Sequence, residues 1–452
     1  MMKKFLNDLA NSNNNVSQIE KDLFEKYNVK RGLRNSDGSG VLVGLTNVGD
    51  VQGYIPENGK LIPIEGNLFY RGYSVSNLVA GFQKNGYHGF DETTFLLLTG
   101  KLPTKDQLER FSNYLGENRD LDETFTNMIL SLKGKDIMNM LSRSVLILYN
   151  LDEKAEDYSH ENLMRQSLML IAKLPTIIAY SYSSMRHKYY RENLVIRHPK
   201  ADLTPAENLL YMLKGDNYTK IDAEILDLAM ILHAEHGGGN NSSFTMRLVS
   251  SAMTDTYSAT AAAIGSLKGS LHGGANLKVL EMMENFKTNI KNWEDETEVK
   301  NYLKKILAGE AFDNSGKIYG LGHAIYTLSD PRAVLLKKKA VELAKEKGLE
   351  KLYNLYELVE RLAPIAFEEL KGSKKTISAN VDFYSGFVYE AIGVPRELFT
   401  PIFAISRMSG WAAHRMEEMT FSSRRIIRPA YKNVGENEQK YIPMEERTDE
   451  IE

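Results

Sequence analysis

The chain has 452 residues, 42% of them hydrophobic and 25% charged, with a net charge of −3. That is an ordinary globular composition with room for two or more domains, and its charge balance gives no basis for binding nucleic acid or an acidic membrane. It contains no cysteine, which excludes disulfides, thiolate metal sites and cysteine nucleophiles and fits a reducing compartment.

Residues 1–40 are polar and Asn-rich, without the apolar stretch of a secretory signal, and predict a short helix over Ser17 to Tyr27. From Val41 to Tyr73 apolar residues alternate with Gly, Asn and Pro, the pattern of a β-rich segment with a hairpin turn at Glu57-Asn58-Gly59. Helical periodicity follows. Asp91 sits where it could cap a helix over Phe90 to Leu98, Pro103 precedes one over Thr104 to Asn118, and further helices are expected at 136–149, 161–182, 205–214 and 222–233. The longest apolar run, Leu168 to Tyr182, is broken by Lys173 and Pro175. It is too short to cross a bilayer and reads as a buried, kinked helix, so a cytoplasmic protein is expected. After Asn276 the helical pattern resumes at 278–286, 296–308, 331–347, 349–371, 381–391 and 400–418. The fold class expected is mainly α with a small N-terminal β element. Gly273-Gly274 and the Gly386 region bracket a Lys/Glu-rich stretch. The expected organisation is an extension over 1–40, a large helical domain over 41–274, a smaller domain over 275–388, and a return to the large domain over 389–452.

The stretch from Leu232 to Asn276 holds three of the nine histidines and two glycine-rich breaks. Two helix-like segments lie between those breaks, rich in small residues such as Ser250, Ala259, Ala262 and Gly265. Small side chains let a neighbouring backbone approach closely, in an interior or at a subunit interface. His233 and His236 in H-A-E-H could share a helical face as metal ligands, form a structural pair, or bind substrate. The GGGNN run ends the helix at once, which disfavours metal. His272 stands on a Gly-Gly turn before the next helix. In G-L-G-H-A-I-Y-T-L-S-D-P-R, Gly320 and Gly322 flank His323 and permit close backbone approach to a ligand. Asp330-Pro331 reads as an N-cap followed by proline at the first helical position. Arg332 then opposes the helix dipole, as a neutral surface residue or as a cation with a task; its fork suits a carboxylate. Asp382 in N-V-D-F-Y-S-G has apolar neighbours that raise a carboxylate's pKa and suit a base, or it is an ordinary cap. Arg407 lies among Ile405, Met408 and Trp411, and if buried it requires an anionic partner.

LHAEHGGGNNSSFT, GSLHGGAN, GLGHAIYTLSDPRA, NVDFYSGFVYEAIG and FAISRMSGWAAHRME…RIIRP together resemble the citrate synthase family, in that family's order and over roughly residues 65 to 435. The resemblance implies a two-domain helical homodimer with its site in a cleft, condensing acetyl-CoA with oxaloacetate and hydrolysing citryl-CoA to citrate and CoA. No cofactor or metal is implied, because the CoA thioester is a substrate. It implies catalytic roles for His272 on the thioester carbonyl, His323 on the ketone and Asp382 as base. His236, Arg332 and Arg407 resemble the binders of the dicarboxylate, and Arg428 resembles an arginine contributed by the partner subunit. Gly320, Leu321, Gly322 and Asn380 are the residues it points to for CoA. Family members often carry basic residues just after the His323 motif, where this chain has Ala324 and Thr327. Two rival readings are a 2-methylcitrate synthase acting on propionyl-CoA and a non-catalytic acyl-CoA-binding helical dimer.

Overall fold

The structure is a computed structural model describing residues 2–57, 60–86, 88–372, 377–422, 425–435 and 438–447. It divides into two compact units, one formed by Met1–Leu45 with Arg428–Glu452 and the other by Thr46–Ile427.

In the terminal unit, helix α1 (Met2–Val16) precedes the short α2 (Lys21–Lys26). The helix expected over 17–27 is therefore α2 alone, and α1 is an addition. Phe5, Leu6 and Leu9 fall on one face of α1, yet none of its residues is buried. Asn is a poor helix former because its side chain competes for backbone hydrogen bonds, yet the helix continues through Asn13 to Asn15.

The larger unit opens with a three-stranded antiparallel sheet of β1 (Gly49–Glu57), β2 (Lys60–Tyr70) and β3 (Tyr73–Ser74). Strand structure begins at Gly49 rather than Val41. The expected turn residues Asn58 and Gly59 lie outside the described residues, but Glu57 pairs with Lys60 across them. Gln52 pairs with Asn67 and Tyr54 with Pro63, so Gly53 alone opposes Ile64, Glu65 and Gly66. This is a bulge that bends and twists the ribbon.

The rest of the unit is helical: α3 (Val75–Asn85), α4 (Phe90–Thr99), α5 (Lys105–Glu117), α6 (Glu123–Ser131), α7 (Ile137–Leu151), α8 (His160–Tyr190), α9 (Pro205–Lys214), α10 (Lys220–His233) and α11 (Asn241–Ser251). There follow α12 (Thr256–Lys268), α13 (Ala275–Asn289), α14 (Glu296–Ala308), α15 (Pro331–Lys347), α16 (Glu350–Lys371), α17 (Val381–Ala391) and α18 (Phe399–Thr420). Among the described residues none of these helices is long and apolar enough to cross a membrane.

Local signals set many of the boundaries. Thr104, Thr204 and Thr219 form capping boxes with the residues three positions on. Asp330 caps α15 ahead of Pro331, as its sequence indicates. Asp91 is not a cap. It is buried inside α4 and accepts a hydrogen bond from Ser112 Oγ at 2.7 Å. The start of α4 is served by a distant carboxylate instead: Asp227 accepts from the amides of Gly89 (2.7 Å) and Phe90 (3.2 Å). Pro175 lies inside α8, which runs on as one helix.

Helix α18 is buried over nearly its whole length. Small residues at Ala404, Ser406, Ser409 and Gly410 let its neighbours come close, and the Gly410 amide donates to the Ala234 carbonyl at 3.1 Å. That contact ties α18 to the end of α10, where the polar constellation begins.

Candidate active site

Helix α10 stops at His233 because the glycines after His236 free the backbone to turn, with Gly237 at φ +81°. The turn sorts three polar side chains in different directions. His233 packs edge-on against Phe403 at 4.3 Å, and both its ring nitrogens lack a partner. His236 is buried, its Nε2 is unpartnered, and its ring meets His323 at 5.2 Å and Tyr326 at 5.7 Å. Burial holds both imidazoles well below their usual pKa, with Arg332 and Arg407 adding to the effect. At neutral pH they are uncharged.

Glu235 points the other way. Its Oε1 lies 2.8 Å from His414 Nε2, and His414 Nδ1 accepts from Arg247 at 2.7 Å. Arg247 in turn pairs with Glu417 and Glu418. Burial works against the Glu235 carboxylate, but His414, Arg407 and the Gly237 amide hold its pKa below the ordinary value. It therefore stays ionised, with Oε2 unpartnered.

Arg407 on α18 is fully buried. Its Nε donates to the His233 carbonyl at 2.6 Å, and its two terminal nitrogens have no partner. Burial pulls its pKa down to about 10, against the opposing pull of Glu235. The anionic partner that its burial requires is thus supplied at a distance, and the fork itself remains open to a ligand. Arg332 is also buried, with Nε and a terminal nitrogen on the two oxygens of Asp330 at 3.0 and 2.7 Å. Burial disfavours its charge, and Asp330 more than offsets this. Arg332 is therefore no surface residue, and the pair fixes its guanidinium plane.

Asn380 caps α17, accepting from the Asp382 amide at 3.0 Å, so Asp382 is not the cap. The Asp382 carboxyl is half-buried, and desolvation raises its pKa to about 6 although Arg332 and Arg407 pull the other way. His272 stands before α13. Its Nε2 lies 3.1 Å from both Ser242 Oγ and Asn240 Oδ1, and its pKa is lowered to about 4 by burial and by Arg407. Ser242 accepts the Trp411 indole N–H at 3.2 Å. Ser242 Oγ in turn donates to Asn240 Oδ1 at 3.0 Å, so His272 Nε2 faces a hydroxyl and a carbonyl oxygen that are already joined to each other.

His323 Nδ1 accepts the amides of Ile325 (3.1 Å) and Tyr326 (3.2 Å). With Nδ1 so occupied, a neutral ring carries its proton on Nε2. Beside it, Gly320, Leu321 and Gly322 line a cavity of about 430 Å³ with Lys317, Ile377 and Phe367. Gly320 and Gly322 have φ of +77° and +89°, and Asn380 Nδ2 donates to the Gly322 carbonyl at 2.9 Å.

One cluster thus gathers His236, His272, His323, Arg332, Arg407 and Asp382: His236 feels the fields of His323, His272 and both arginines, and Asp382 those of both arginines. Arg428 is exposed and belongs to the unit formed by the chain's ends. Among the described residues no group of three or more His, Asp or Glu is arranged to hold a metal ion. The sequence reading passed over Glu235, His414, Ser242 and Asn240, whose only signal was their place inside the same motifs, and named Trp411 only as an apolar neighbour of Arg407.

Residues 38–430 match the family model described as citrate synthase, C-terminal domain. The chain belongs to the citrate synthase family. A citrate synthase of Deinococcus radiodurans is 37% identical over 359 residues, covering 79% of this chain and 88% of the relative. A 2-methylcitrate synthase of Shewanella oneidensis is 32% identical over 381 residues, covering 84% and 92%. Among solved structures, the ternary complex of carboxymethyl coenzyme A and oxaloacetate with the citrate synthase of Thermoplasma acidophilum superposes with a TM-score of 0.76 at 27% identity, covering 93% of this chain and 99% of that one. The mainly α architecture is thus that of the family's solved structures.

Proposed function

We propose that this protein condenses acetyl-CoA with oxaloacetate and hydrolyses the resulting citryl-CoA, giving citrate and CoA. The observation that carries this is an unfilled donor set beside a raised carboxyl. The Arg407 fork and His236 Nε2 are buried without partners, next to Asp382 with its pKa near 6. Buried donors without acceptors are costly unless a ligand completes them. Two carboxylates and a ketone provide the acceptors that arginines and neutral imidazoles want.

Asp382 removes a methyl proton from acetyl-CoA while His272 donates to the thioester oxygen, so that no free enolate forms. The enol carbon attacks the ketone of oxaloacetate, whose oxygen takes a hydrogen bond from His323 Nε2–H. Each such contribution is worth roughly 10²–10⁴-fold, so the three must act together. Closure of residues 275–388 over the cleft would exclude water until the carbon–carbon bond has formed. Water then cleaves the thioester.

The 430 Å³ cavity beside His323 suits part of CoA, with Lys317 on its lining supplying positive charge that Ala324 and Thr327 do not. Lys317→Ala should raise the Michaelis constant for acetyl-CoA while sparing that for oxaloacetate. The working form implied is a cytoplasmic homodimer with Arg428 reaching the partner's site.

Thiol release with oxaloacetate and either acetyl-CoA or propionyl-CoA tests the reading, against no background from a chain without cysteine. Release with acetyl-CoA supports it, and faster release with propionyl-CoA would reassign the acyl group. No release with either thioester would reject the activity.

A further inference from the structure

The reaction proposed above leaves the three-stranded sheet without a task. Its bulge, where Gly53 opposes Ile64 to Gly66, is the surface on which the loop from His323 to Pro331 rests. A Cβ on Gly66 would stand 2.1 Å from the Ser329 carbonyl oxygen, 2.7 Å from Tyr326 Cδ1 and 3.0 Å from Pro331 Cδ. A Cβ on Gly53 would stand 2.3 Å from the Ile325 carbonyl oxygen. Neither glycine has a positive φ, so close approach, not backbone shape, demands glycine at both places.

Polar contacts fix the same register. The bulge frees the Gly66 amide from the ladder, and it donates to Ser329 Oγ at 3.2 Å. The Ser329 hydroxyl donates to Glu65, and Tyr326 OH to the Asn67 carbonyl at 3.4 Å. On its far side the loop is tied to the segment before α17, through the Gly322 amide on the Ser378 carbonyl at 2.7 Å. Tyr326 carries the register into the cluster. Its ring stacks on His323 at 4.7 Å, meets His236 edge-on at 5.7 Å and lies 5.9 Å from the Arg332 guanidinium.

We propose that the bulged β1–β2 ribbon is a positioning element of the active site, registering the His323–Arg332 loop through Gly53, Gly66 and Ser329 so that three oxaloacetate-facing side chains converge. The proposal rests on the oxaloacetate reading. Bulges recur beside active sites as devices that re-aim side chains, and a misplacement of about 1 Å can cost roughly 10²-fold.

The test compares Gly66→Ala and Ser329→Ala with the wild type and with Gly81→Ala, an α3 glycine with no atom within 4 Å of its would-be Cβ. Oxaloacetate affinity is read by calorimetry, both Michaelis constants by thiol release, and stability by thermal unfolding. Gly66→Ala should weaken oxaloacetate binding by about tenfold or more, by the sensitivity of such sites to misplacement. Ser329→Ala should move it less but in the same direction, at an unchanged melting point and with the acetyl-CoA constant little altered; Gly81→Ala should match wild type. If Gly66→Ala fails to fold, Ser329→Ala carries the test. Wild-type oxaloacetate affinity in the folded variants, whatever happens to their melting points, would reduce the ribbon to packing and overturn the proposal. A wild-type chain that binds oxaloacetate but releases no thiol would reject the activity alone, leaving the affinity comparison to judge the ribbon.

Discussion

Asp382 is the residue on which the proposed chemistry turns, and its ionisation has a direction that can be measured. Burial raises its pKa to about 6, with Asp330 adding to the rise and Arg332 and Arg407 opposing it. A base acts only when deprotonated. Activity is therefore present above that value and is lost as pH falls through it. The value of kcat/KM for acetyl-CoA should be flat between about pH 7 and 8 and fall about tenfold per unit below pH 6. His272, lowered to about 4, titrates too low to produce that limb, so a limb that survives in Asp382→Asn would assign it to another group. The same variant should lose about 10²–10⁴ in turnover and keep its affinity for oxaloacetate. Activity near wild type would show that the base is elsewhere. The groups proposed to react stood out in the sequence because each sits inside a short motif that also holds glycine. Glu235 and His414 did not, since 179 positions separate the two ends of their hydrogen bond and nothing local to either announces the other.

Among the elements, α18 shows how closely a helix must approach the α10 turn for the cluster to form. A Cβ on Gly410 would stand 2.4 Å from both the Ala234 carbonyl oxygen and Glu235 Oε2. Gly410→Ala should therefore push α18 away from the His233–His236 turn and destabilise the fold by about 1–3 kcal/mol, the usual range for overpacking. An exposed helix interior would gain from the same change. Urea unfolding checks the sign: a variant as stable as wild type would mean that the turn yields freely. Element boundaries divide by the same criterion of locality. The start of α15 was readable from Asp330 and Pro331 because cap and proline are adjacent to the helix they begin. The start of α4 at Phe90 was readable, but its cap was not, because the capping carboxylate, Asp227, comes from α10. The bulge between β1 and β2 was invisible for a related reason, since register depends on a partner strand and not on either sequence alone.

At the scale of the whole molecule, the terminal segment that carries Arg428 belongs to a different compact unit from the cluster it is proposed to complete. One face of α12 has the open, small-residue character that the proposed dimer would use. Ala262 is only half-buried and Gly265 is exposed, with no atom within 4 Å of its would-be Cβ. Small residues left open on a helix allow another helix to pack against them closely. Mixing two disabled chains separates an arginine acting in its own site from one acting across a symmetric dimer. Take Arg428→Ala and Asp382→Asn, each inactive by itself, and let unfolded chains reassociate in equal amounts. Half of the dimers are then mixed by simple statistics. If Arg428 serves the partner's site, both lesions in a mixed dimer fall in one site and the other is intact, so about a quarter of wild-type turnover should return. If Arg428 acts within its own chain, every site carries one lesion and no activity returns. The result is read as turnover against the mole fraction of either variant: the intersubunit arrangement requires a maximum at equal proportions, and a flat line would exclude it.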